Sequence, residues 1–281
     1  MKNLFRKLFA SILTIVWCLL SITSCTEERL GEGAVVTLDP ILGIETHQMN
    51  QLKGKTVLDG HNISYDVTAN KGDYYVQVML DDHRLEAWIN FTKETLTHDG
   101  HKAVLTAKQK EILLKFTNRF GEALVNSKDN TIADFEIGRM EYSFLRTMEY
   151  WSQAPQGFVH KQEVMTSNVA TTAKGTGDDG ITCIKKNNNY TLRFTDRNNR
   201  VITTTRRAGY DGGGTYGCMG RCGANCGRWW IPSAWTLDCF EHDQCSLDYN
   251  ASGGASHPDC GDEYLESADD YIWGVLRGCR G

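Results

Sequence analysis

Residues 233–249 read Ser233-Ala234-Trp235-Thr236-Leu237-Asp238-Cys239-Phe240-Glu241-His242-Asp243-Gln244-Cys245-Ser246-Leu247-Asp248-Tyr249. Trp235, Cys239, His242, Ser246 and Tyr249 recur at spacings of four, three, four and three, which predicts one helix with these five residues on one face. His242 falls in the middle of that face. Asp243 lies about 100° around the helix from it, so both side chains can border one cleft. A lone histidine on such a face is more often a satisfied core residue than a catalyst. Here a carboxylate follows it, two cysteines flank it and a carbonyl-rich loop precedes it, which weakens the packing explanation.

That loop is GYDGGGTYGCMGRCGANCG, residues 209–227. Its glycines let the backbone turn carbonyls inward at φ values that other residues avoid. Such a loop suits a hard cation, since calcium takes backbone carbonyls and carboxylates in irregular geometry. A loop made compact by Cys218, Cys222 and Cys226 fits the same residues equally well. The C-x3-C-x3-C spacing does not read as a zinc or iron–sulfur site, because the usual C-x2-C knuckle is absent and exported chains favour disulfides.

Export is written into residues 1–25. Lys2, Arg6 and Lys7 precede an apolar run from Leu8 to Leu20, too short for the roughly 20 residues of a membrane-spanning helix. The run ends at Ile22-Thr23-Ser24-Cys25, which resembles the bacterial lipoprotein signal, in which cleavage precedes a cysteine that is then lipidated. This resemblance implies acylation of Cys25, a short tether after it, and a protein lipid-anchored in the bacterial cell envelope. Of the ten cysteines, Cys18 and Cys25 belong to this leader. The other eight lie between Cys183 and Cys279, and an even number crowded into one end of an exported chain predicts up to four disulfides there.

The cysteines also divide the chain into the leader 1–25, a cysteine-free region 26–180 and a disulfide-stapled region 181–281. In 26–180, Ile112, Leu113, Phe116, Phe120, Ala123 and Leu124 predict a helix over 106–126, and a similar pattern predicts another over 134–151, ended by Pro155. Residues 74–88 fit either a strand or a short helix, so this region reads as α+β. Residues 168–179 look like a linker, and strands are expected at 180–185 and 190–205. The chain of 281 residues, with 41% hydrophobic and 23% charged content, is globular in composition. Its net charge of −5 becomes three units more negative once the leader's Lys2, Arg6 and Lys7 are set aside, which argues against a nucleic-acid partner.

Cys239-Phe240-Glu241-His242-Asp243-Gln244-Cys245 resembles the C-x-x-H-D-x-C helix of secreted phospholipase A2 enzymes, nearer to their bacterial and fungal members. Cys222-Gly223-Ala224-Asn225-Cys226-Gly227 resembles a variant of their calcium loop. The resemblance covers roughly 216–279. It implies a mainly α domain with two antiparallel helices and a calcium loop, with bridges Cys222–Cys239 and Cys245–Cys260. His242 would be the general base, and Ca2+ would be held by Asp243 and the carbonyls of Arg221, Gly223 and Asn225. The family also needs an aspartate on the next helix to hold the histidine tautomer. Over 259–276, Asp262 and Asp269 share a helical face while Asp270 falls on another; the implied Cys245–Cys260 bridge puts Asp262 nearest, with Asp269 as the alternative. Asp238 stands where many members carry a cysteine, and Cys226 replaces a loop glycine. Trp229, Trp230, Ile231 and Trp235 fit either an interfacial patch or core packing. The expected function is calcium-dependent hydrolysis of the sn-2 ester of glycerophospholipids at a phospholipid membrane. The alternative is an inactive lipid- or protein-binding surface lipoprotein, and the cysteine-free region could meet a protein partner.

Overall fold

Two-residue turns set the architecture of the first half. Asp59-Gly60 and Lys71-Gly72 have positive φ at both positions (49° and 83°; 49° and 92°), the geometry that matches the twist of an antiparallel hairpin. They join β2 (Gln51–Leu58) to β3 (His61–Asn70) and β3 to β4 (Asp73–Leu80), with Leu58 paired to His61 and Asn70 to Asp73. Preceded by β1 (Ile44–Gln48) and continued by β5 (His83–Asn90), β6 (Thr95–Asp99) and β7 (Glu163–Thr166), they form a seven-stranded antiparallel sheet ordered β1 to β7. In the computed structural model the described residues are 39–127, 138–166, 180–196, 198, 200–210, 217–223, 226–228, 230–249 and 258–281, all within one compact unit, Leu38–Gly281. The leader with Cys25, the expected linker 168–179, Asn225 and Trp229 lie outside them.

Residues 74–88 resolve into β4 and β5. Val76, Val78 and Leu80, then Leu85, Ala87 and Ile89, alternate into the core on either side of the turn Asp81-Asp82. Against that buried face pack α1 (Ala107–Ser127) and α2 (Arg139–Ser152), matching the two expected helices. Tyr65 of β3 sits among Phe116, Phe120 and Phe144, with ring centroids 5.1–5.9 Å away. The reading of 26–180 as α+β therefore corresponds to a sheet with two helices on one face.

The second face of α2 meets the C-terminal residues. The Tyr142 hydroxyl donates to the Ile272 carbonyl at 3.0 Å, and the Tyr150 and Tyr264 rings stack at 4.4 Å. The Trp230 indole lies directly over Gly121 of α1, where any side chain would collide. A glycine inside a helix costs about 1 kcal/mol relative to alanine, and this close approach is its reason.

The C-terminal elements differ from expectation in four places. Residues 180–185 make only an isolated bridge, Cys183 with Thr236, rather than a strand. The single strand expected over 190–205 is a hairpin, β8 (Asn189–Thr195) and β9 (Val201–Arg207), because the Asp196 carboxylate accepts the N–H groups of Asn198 and Arg200 and turns the chain. The helix expected from 233 starts at Leu237 as α3 (Leu237–Asp248). Before it the backbone is extended: Trp235 N–H donates to the Cys279 carbonyl and Thr236 N–H to that of Gly220. The helix expected over 259–276 is a short 3-10 turn (Pro258–Cys260), α4 (Gly261–Glu266) and α5 (Ala268–Trp273). The break falls at Ser267, whose hydroxyl donates to the Tyr264 carbonyl.

His98 and His160 give the core an acid sensitivity. Both ring nitrogens of His98 are buried without hydrogen-bond partners among the described residues, and the ring stacks on Tyr150 at 4.8 Å. Burial, aided by His160, pushes His98 down to about 3, and burial holds His160 at about 4. A base depressed in the folded state contributes fully above its unfolded value of about 6.5 and destabilises as pH falls from there toward the folded value. Relative to His98→Phe, the wild type should lose about 2 kcal/mol of stability between pH 7 and pH 5. Urea unfolding of both proteins at the two pH values measures this; parallel losses would refute it.

Candidate active site and cation loop

Four bridges hold the site: Cys183–Cys279, Cys218–Cys226, Cys222–Cys239 and Cys245–Cys260. Cys222–Cys239 and Cys245–Cys260 are the two pairs that the phospholipase resemblance implies. The first fastens the glycine-rich loop to the opening turn of α3, and the second ties its last turn to the start of α4. Closing a 15-residue loop, as Cys245–Cys260 does, contributes about 3 kcal/mol in the chain-entropy account.

On α3 the structure brings His242 and Asp243 beside the loop, both half-buried. The Asp243 Oδ2 accepts the Gly220 N–H at 2.8 Å. Burial pushes the Asp243 carboxyl up to about 7, against the pull of that N–H. Burial lowers His242 to about 4, so its imidazole is neutral at ordinary pH. The His242 ring faces that of Tyr264 at 6.2 Å. Tyr271 of α5, beyond the break at Ser267, hydrogen-bonds the backbone of Gly223 and feels the Asp243 charge. Neither tyrosine stands out in the sequence alone; their seven-residue spacing is the signal that could have found them.

Gly223 has φ of 113°, and a Cβ there would come within 2.7 Å of the Glu149 Oε1. Arg221 pairs across an isolated bridge with Trp235, while its half-buried guanidinium is lowered by burial and by neighbouring Arg146. Among the described residues, no backbone N–H donates to the carbonyls of Arg221 or Gly223, whereas the Gly220 carbonyl is taken by Thr236. Of the expected cation set, Asp243 is the residue that the structure places against the loop, through the Gly220 N–H. Trp230, Ile231 and Trp235 are buried, which fits the core-packing alternative.

Asp262 lies in the first turn of α4, where its Oδ2 accepts the Thr195 hydroxyl at 2.5 Å. Its neighbour Glu263 accepts the Thr195 N–H at 2.7 Å and is pushed up to about 9, chiefly by burial and then by Asp262. Asp269 is 4% exposed and Asp270 0%. Although the helical wheel sets Asp270 apart, it lies against the Cys222–Cys239 bridge, and with Asp269 it faces Asp238 of α3.

A family model described as a domain of unknown function (DUF8213) matches residues 179–281, the part that carries every bridge together with His242 and Asp243. No curated protein matches the chain. No solved structure matches it.

Proposed function

We propose that the protein is an exported, lipid-anchored hydrolase of the phospholipase A2 type, cleaving the sn-2 ester of glycerophospholipids with the aid of Ca2+. The observation that carries this reading is the pairing of a neutral, half-buried His242 with Asp243, whose carboxylate is received by the glycine-rich loop at Gly220. Asp243 and the carbonyls of Arg221 and Gly223 would hold the ion, with Asn225 completing the set. Calcium, when bound there, polarises the ester carbonyl as a Lewis acid.

The chain's own residues supply the rest. His242 takes the proton from the attacking water at an imidazole nitrogen, and a base held near 4 stays available across the neutral range. Asp262 steadies that imidazole in this reading. The Asp262 carboxylate accepts the Thr195 hydroxyl and burial is the cause that lowers His242, so the role rests on the resemblance and on the position of Asp262 directly after the Cys245–Cys260 bridge. Cys25 would keep the protein at a membrane surface, close to its substrate.

One observation favours the alternative of a binding protein. The outer sheet face bears a groove of about 430 Å³ lined by Tyr75, Trp88, Asp73 and Asn90, and Trp88 is 42% exposed. A partner of the first half could seat there without any ester chemistry.

The deciding experiment incubates the disulfide-intact protein with mixed phospholipid vesicles in calcium or in chelator, and measures free fatty acid and lysophospholipid. Release in calcium alone is the expected result. No release by a folded protein that binds calcium would overturn the hydrolase reading in favour of the binding one.

A further inference from the structure

Asp238, Asp269 and Asp270 converge where the first turn of α3 meets α5. One carboxylate oxygen from each lies within 4.8 Å of the other two, and the residues are 2%, 4% and 0% exposed. Proximity of acidic groups alone would prove little, since carboxylates can share protons. The informative group is Asp238: it is almost wholly buried, and among the described residues neither of its oxygens has a hydrogen-bond partner. A carboxylate in that state is stable only if something neutralises it.

Among the described residues, no basic side chain is among the groups that act most strongly on Asp238. The charged groups acting most strongly on Asp238 are Asp270, Asp269, Glu241 and Glu266, all acidic. The sulfurs beside Asp270 are locked in the Cys222–Cys239 bridge and are not thiolate ligands. What remains is a donor set made of carboxylate oxygen, which selects hard cations and disfavours soft or borderline ones.

We infer that Asp238, Asp269 and Asp270 bind a hard divalent cation of the calcium class, at a site separate from the Asp243 loop, and that this ion ties α3 to α5. Asp238 and Asp243 are five residues apart on α3, about 140° around the helix and about 7.5 Å along it, so one ion does not serve both. The buried ion fixes the N-terminal end of the helix that carries His242.

Counting Ca2+ bound to the full exported chain, bridges intact, by equilibrium dialysis tests this. Free calcium is set at about 5 mM, above the roughly 10⁻⁴–10⁻³ M range of extracellular sites. The wild type should hold two ions, Asp243→Asn one, Asp238→Asn one, and the double variant none. Asp269→Asn is the second ablation should Asp238→Asn fail to fold. An Asp243→Asn chain that binds no calcium overturns the buried site and leaves the loop site standing. A single wild-type ion that survives Asp243→Asn but is lost with Asp238→Asn upholds the buried site and overturns the loop reading. No ion in the wild type overturns both and assigns the charge on Asp238 to protons.

Discussion

Replacing His242 with glutamine should lower fatty acid release by about 10²- to 10⁴-fold while leaving calcium binding and the melting midpoint close to wild type. Glutamine keeps a polar side chain of similar length beside Tyr264, so the half-buried position stays filled and the loss is chemical. The unprotonated state of His242 matters to the size of the effect. Burial holds it unprotonated, so nearly every molecule at neutral pH carries the base in its active form, and removing it affects the whole population. Asp243→Asn should give a comparable loss by a different route. It removes the carboxylate proposed to hold the ion at the loop, so its residual activity should no longer respond to chelator. A His242→Gln protein with more than about a tenth of wild-type release would assign the proton transfer to another group.

Much of this site is legible in the sequence because its signals are local. The four–three spacing around His242, the adjacent Asp243 and the glycine-rich loop are neighbours along the chain, and the cysteine distribution marks the bridged region. The helix runs over 237–248, although Trp235 was expected on its face, because spacing does not reveal that the Trp235 and Thr236 backbone groups are claimed by Cys279 and Gly220. Those partners are remote in sequence. The sheet is similar: the two-residue turn at Asp81-Asp82 interrupts the alternation of 74–88, and only pairing with β3 and β6 makes the strands obligatory. Asp-Gly at 59–60 was a hairpin signal in plain view. Asp238 reads from sequence as a departure from the resembled motif. Its significance appears only when α5 brings Asp269 and Asp270 against it.

Least legible of all is the ion pair of Arg146 and Glu149, and breaking it should produce the largest loss of stability. Both side chains are fully buried on α2, with Nη1 2.6 Å from Oε2. Arg146 also donates to the Pro232 carbonyl, and the second Glu149 oxygen lies against Gly223 of the loop. Glu149→Ala leaves a buried guanidinium without its carboxylate, a change that costs about 3–5 kcal/mol. In a chain of this size that lowers the midpoint by about 10 °C. Arg146→Met combined with Glu149→Leu should restore most of the loss, because an apolar pair of similar volume carries no desolvation penalty. Calorimetry distinguishes the cause. Since the pair joins α2 to Pro232 and Gly223, the sheet-bearing half and the bridged half should unfold in one transition that moves as a whole. A bridged half that melts separately at its wild-type temperature in Glu149→Ala would show that the pair stabilises α2 alone, and calcium affinity at the loop would then be unchanged. If the transition is shared, weakening α2 also loosens the support behind Gly223, and the calcium concentration for half-maximal release should rise in the same variant.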